Sequence, residues 1–234
     1  MSYTYNTSSL VGDTDSRNCL RVNVFATTSC SSWTIDAAYD GLVDAQDQIY
    51  SETSILGIEV NQYTSTDLSH ESSDESAERD HANQWLTDNG FYERAHNLFV
   101  SDKEMGMSYG NAWNSRCVAF IGEDQVDPEI PKRDRMMGVS AVHEVLHGYI
   151  QAKSQSAADL MNSGNNEHSL GQVHLSEEKA SPLAASYASS SESDYAETGQ
   201  CNDFEPIEWG EWVNDLTDCT TSALDHCYNY ESSV

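Results

Sequence analysis

The chain has 234 residues, with 39 acidic side chains against 11 basic ones and a net charge of −28. That charge repels nucleic acid phosphates and anionic membrane surfaces, and no apolar run approaches the ~20 residues that a membrane span requires. The length suits one domain, or one domain with two lobes about a cleft.

Residues 1–17 are rich in Ser, Thr and Asp and read as a flexible N-terminal arm. Leu20, Val22 and Val24 alternate with Arg21 and Asn23, the pattern of a half-buried strand. Ser31-Ser32 precedes a helical stripe of Ile35, Ala38, Tyr39, Leu42, Val43 and Ile49. A second strand is expected at Ile58–Tyr63, then a polar loop over 64–76. A polar helix follows from Asp74 to Asp88, stopped by Asn89-Gly90. Asn97–Val100 and Cys117–Ile121 read as buried strands. Between them, the glycine-punctuated Gly106–Trp113 suits an edge strand. After Pro131 a helix is expected from Asp134 to Ala152, with Val139, Val142, Leu146 and Ile150 as its apolar stripe. Beyond residue 153 the pattern weakens, with polar stretches at 154–166 and 189–200 and a last helix from Thr217 to Tyr230.

The motif of the chain lies in that central helix. His143-Glu144-Val145-Leu146-His147 matches H-E-x-x-H. Positions i and i+4 share one helix face, so His143 and His147 can bind a single metal ion, and Glu144 stands between them within reach of a water proton. Two surface histidines and a solvated glutamate are the bland alternative. A half-buried helix that carries all three beside its apolar stripe argues for the site.

The order strand, long helix, strand, strand, edge strand, strand, motif helix resembles the N-terminal lobe of the zincin metallopeptidases, particularly the metzincins. The resemblance covers residues 18–152, and His143-Glu144-x-x-His147 is its specific part. It implies an α+β fold: a twisted mixed sheet with a long helix, the H-E-x-x-H helix as floor of a cleft, and a small irregular C-terminal lobe over 153–234. It also implies an edge strand near Gly110-Asn111-Ala112-Trp113 that binds an extended peptide by strand addition. Metzincins continue as H-E-x-x-H-x-x-G-x-x-H. Here the continuation is Gly148-Tyr149-Ile150-Gln151-Ala152-Lys153, without the third histidine. A third ligand is therefore sought further on. His168, in Glu167-His168-Ser169-Leu170-Gly171, is the leading candidate. His174 or one of Glu167, Glu177 and Glu178 are the alternatives. Ser181–Tyr187 stands where the resemblance puts a methionine turn, with Leu183 in place of the methionine. Tyr187 then has either a role beside the metal or an oxyanion, or ordinary packing. His70, His81, His96 and His226 are scattered and read as surface residues.

The expected activity is zinc-dependent hydrolysis of peptide bonds by a metal-activated water, with Glu144 as general base and Zn²⁺ as cofactor. A non-catalytic zinc or interaction module, and a zinc hydrolase of a non-peptide bond, are the alternatives. The dispersed acidity resembles that of salt-loving archaea, whose media screen self-repulsion; attraction to a basic substrate is the other account. Cys19, Cys30, Cys117, Cys201, Cys219 and Cys227 make an even set, which in an extracellular protein suggests disulfides. Met1-Ser2-Tyr3-Thr4 has no basic start and no apolar run, so secretion would require a signal already removed.

Overall fold

The structure is a computed structural model. It describes residues 3–15, 19–69, 74–91, 94–102, 107–109, 112, 115–123, 133–150, 173–174, 179–180, 207–208, 216 and 218–232. In chain order the elements are β1 (Tyr3–Gly12), β2 (Cys19–Ala26), α1 (Ser32–Glu52), β3 (Gly57–Thr66), α2 (Glu75–Asp88), β4 (Ala95–Ser101), β5 (Met107–Tyr109), β6 (Arg116–Gly122) and α3 (Arg133–Tyr149). Three short strands follow, β7 (Val173–His174), β8 (Lys179–Ala180) and β9 (Ile207–Glu208), and then α4 (Asp218–Ser232). The fold is α+β, as expected.

Six strands form one mixed sheet in the order β1-β3-β2-β4-β6-β5. β3, β2, β4 and β6 run parallel, and β1 and β5 close the two edges antiparallel. The step from β2 to β3 crosses the sheet one way, and the step from β3 to β4 crosses it the other way. Crossovers of one hand must then lay their helices on opposite faces. The two cores show this. α1 buries Ile35, Ala38, Leu42 and Ile49 on Leu20, Val22, Val24, Ile58 and Val60. α2 buries Ala82, Trp85 and Leu86 on Phe25, Phe99 and Phe120. Alternation along each strand assigns the faces: Leu98 and Val100 of β4 point to the α1 side, and Phe99 points to the other.

α3 lies beside α1 on the first, or front, face. The two helices touch backbone to backbone: a Cβ on Gly41 would fall 2.3 Å from the Gly138 Cα. At the start of α3, the Arg133 guanidinium lies 4.3 Å from the Trp33 ring centroid. α4 packs on α1 and α3, with Leu224, Cys227 and Tyr228 in the same core. Gln48 of α1 holds Leu216 ahead of α4 by donating to its carbonyl (2.8 Å) and accepting from its N–H (2.7 Å). No described helix is long and apolar enough to cross a membrane.

Two expectations change. The N-terminal arm is not loose: β1 pairs with β3 from Tyr3↔Thr66 to Gly12↔Gly57. Its Tyr, Thr and Val residues favour extended backbone, and an edge strand can keep polar side chains, so no apolar alternation marks it. Asn6 donates to Gln62 (2.5 Å), and Ser9 bonds Gln46 of α1 (2.6 Å). The disulfide expectation also fails for four of the six cysteines. Cys19, Cys30, Cys117 and Cys227 are in no disulfide, each used as a small filler at a different place. Burial pushes the Cys19 thiol up to about 11 and Cys30 to about 12. The Cys201 and Cys219 side chains lie outside the described residues. The edge strand, by contrast, lies within the expected range: β5 is Met107–Tyr109, and beyond it Ala112 is a buried turn residue.

Candidate metal centre

α3 is buried on almost every side from Met137 to Tyr149, with only His147 partly open. A helix buried all round belongs inside a core, so any polar group on it is held in a largely dry setting. His143 is 2 % exposed and Glu144 3 %, in a position where isolated charge is costly.

The i, i+4 spacing brings the two imidazoles together. Nε2 of His147 lies 2.7 Å from Nε2 of His143, and the ring centroids are 4.5 Å apart at 71°. One nitrogen must donate and the other accept, a tautomer choice set by surroundings. Ligand atoms of His143, Glu144 and His147 all lie within 4.8 Å of one another. Two nitrogens on a tetrahedral zinc, each at 2.0–2.1 Å, stand about 3.3 Å apart. The pair therefore needs to open by only roughly 0.6 Å, a small ring rotation. The donor set fits zinc.

Three contacts pin the last turns of α3. The buried Tyr149 hydroxyl donates to the Arg21 carbonyl of β2 (2.5 Å) and accepts from the Arg21 N–H (2.9 Å). Burial raises its pKa far above the ordinary tyrosine value. The Ala112 N–H donates to the Gly148 carbonyl (2.9 Å), tying the turn after β5 to the helix end. The third contact is His96 of β4. It is fully buried, and burial pushes its pKa down to about 3, against the opposing pull of its hydrogen bond to the Glu144 backbone. The ring is neutral. A Cβ at Gly148 would fall 2.3 Å from His96 Cδ2 and 2.9 Å from the Cys117 Sγ. The glycine directly after His147 is thus required by close packing between helix and sheet.

His143, Glu144 and His147 come together as the sequence led one to expect. His168, Glu167, Glu177, Glu178 and Tyr187 lie outside the described residues. His174 pairs with Lys179 across β7 and β8, and its side chain is not described. His96, read as a surface histidine, is corrected to a core residue. The signal was its position one residue before Asn97, in phase with Leu98 and Val100 and hence on the front face. His81 is half-buried and His226 exposed. Compared with family models, curated proteins and solved structures, the chain has no match in any of the three.

Proposed function

We propose that this chain is a secreted, zinc-dependent endopeptidase of zincin-like fold that works in concentrated salt. The observation that carries the reading is the convergence of two imidazoles and one carboxylate on a buried helix. The architecture supports it. The motif helix follows β6 and packs against β5, an antiparallel strand at the sheet edge. The free side of β5 would offer backbone N–H and C=O groups to an extended peptide.

His143 and His147 would hold the metal, with a third ligand from His168, or from His174, Glu167, Glu177 or Glu178. When bound there, zinc would lower the pKa of water from about 15.7 towards ~7 and polarise a carbonyl. Glu144 would accept the proton of the attacking water and return it to the leaving amine. The burial of its carboxylate suits that work, because a dry site strengthens each electrostatic contact. Tyr187 is carried as a further candidate beside the reacting carbonyl.

The test is hydrolysis of a quenched peptide pool in molar KCl, with zinc content measured, for wild type beside Glu144→Ala. The wild type should cleave. The variant should keep its zinc and lose about 10²–10⁴-fold in rate. Full activity in the variant would refute Glu144 as base. No cleavage by zinc-loaded wild type would favour a non-catalytic zinc module or a non-peptide substrate. The absence of a histidine at position 153, where Lys153 stands, gives the non-catalytic reading its weight.

A further inference from the structure

We infer that His96 is a positioning residue for Glu144, holding the peptide unit of that carboxylate against the sheet. The inference rests on the proposed peptidase reading. In β4 the side chains that face α3 and α1 are His96, Leu98 and Val100, and the strand neighbours of His96 are Val22 and Cys117. A leucine or valine would fill such a layer without a polar atom to satisfy. The chain instead places an imidazole there, fully buried, and opens room for it with Gly148. The imidazole and the glycine that makes room for it thus serve one contact, the hydrogen bond from the imidazole to the Glu144 backbone.

That contact has a geometric consequence. In an α-helix the carbonyl of residue 144 also accepts from the N–H of residue 148. The ring therefore clamps the turn that begins at Glu144 and ends at Gly148, and the Tyr149 hydroxyl fixes the next residue to β2. Rotation of α3 about its axis would swing the Glu144 carboxylate away from the point on which His143 and His147 converge. His96 opposes that rotation from the sheet side.

The experiment compares wild type, His96→Leu and His96→Gln. Each is measured for Co²⁺ affinity, for kcat and KM on one peptide, and for hydrogen exchange at the Gly148 amide in the metal-free protein. Leucine removes the donor and glutamine retains one. We expect kcat to fall about 10–100-fold in His96→Leu, with KM and Co²⁺ affinity within about threefold of wild type. Faster exchange at Gly148 should accompany the loss, and His96→Gln should restore most of both. Wild-type kcat and exchange in His96→Leu would overturn the inference and leave the peptidase reading intact. A loss as large in the glutamine variant as in the leucine one, with KM and Co²⁺ affinity lost too, would assign His96 to folding alone. If wild type binds Co²⁺ but cleaves nothing, the peptidase reading fails. Unchanged Gly148 exchange in His96→Leu would then overturn the positioning role as well.

Discussion

The two faces of the central sheet are made by the same strands, yet they carry polarity in opposite ways. On the back face the residues form rows across the strands. Tyr63, Phe25, Phe99 and Phe120 make an aromatic row beneath α2, with Phe25 stacked on Tyr63 at 4.6 Å and on Phe99 at 5.1 Å. The next row is Asn61, Asn23 and Asn97, and the next is Glu59 and Arg21. These groups satisfy one another in a chain. Asn61 donates to Asn23 (3.3 Å), Asn23 to Asn97 (3.0 Å), and Asn97 to the Cys117 carbonyl (3.1 Å). Glu59 accepts from both Arg21 and Asn61 (each 3.1 Å). Arg21, Asn23, Glu59 and Asn61 line an open cavity of about 250 Å³ with Tyr63 and Phe91. The front face is apolar beneath α1 and α3, and its Gln46 and Gln62 bond within the layer. Its buried imidazoles and buried carboxylate, among the described residues, gather in one place, on and under α3. A polar sheet face by itself therefore marks no chemistry. Convergence of titratable groups on one point does.

Substitutions on the two faces test that distinction, and the largest effect is expected at the metal pair. His147→Ala should weaken Zn²⁺ binding by more than the ~100-fold typical of outer partners. Stability without metal should change little, because His147 is partly exposed. Competition with a coloured chelator measures the first, and denaturant unfolding the second. Unfolding of this variant would mean that the two histidines are core residues first. Gly148→Ala should come next. The added methyl meets the His96 ring and Cys117 Sγ, and overpacking of this kind costs about 1–3 kcal/mol. Hydrolysis should fall with it, since the helix must move off the sheet. An unchanged midpoint would show that the layer has slack. On the back face, Asn97→Ala should cost about 1–3 kcal/mol by leaving Asn23 and the Cys117 carbonyl short of a partner. Zinc affinity should not change. A loss of zinc binding in that variant would break the separation between the faces.

Much of this arrangement was legible in the sequence wherever a residue's own neighbours dictate its state. Alternation of Leu20, Val22 and Val24 fixes β2 and its buried side. Asp74 and Gly90 mark the ends of α2: Asp74 caps it by accepting from the Ser76 and Ala77 N–H groups, and Gly90 takes φ 83° beyond its end. The i, i+4 pair on α3 follows from helical periodicity alone. What could not be read depends on partners distant in the chain. β1 has no apolar code and exists because β3 offers it an edge. The glycine after His147 is visible as a departure from the metzincin pattern. Its cause is His96, 52 positions away by residue number. The third ligand belongs to the same class, since no local periodicity ties residues after 153 to α3.

The smallest expected effect concerns the rim where the front layer is fastened to the sheet. Ser31 is the N-cap of α1, but its side chain makes no capping bond to the helix backbone. Glu123, just past β6, holds the cap residue itself. Its Oε1 accepts from the Ser31 N–H (3.0 Å), the Ser31 hydroxyl and the Thr34 hydroxyl (2.5 Å). Burial alone would raise the Glu123 pKa, but the hydrogen bonds from Ser31 and Thr34 outweigh it and hold the carboxyl below its ordinary value. A carboxyl depressed in the folded state adds stability that is present above the unfolded value of about 4.3 and lost as the pH falls through the folded one. Glu123→Gln keeps an acceptor oxygen and removes the charge. It should cost about 1 kcal/mol at neutral pH, the usual scale of a helix-start contact. The difference from wild type should shrink as the pH falls through the depressed folded-state pKa. Protonation also relieves the self-repulsion of a chain with net charge −28, but that acts on both proteins, so only their difference reports on Glu123. Unfolding midpoints in molar KCl at neutral and acidic pH measure it. A gap that stayed constant with pH would mean that the oxygen, not the charge, ties α1 to the sheet.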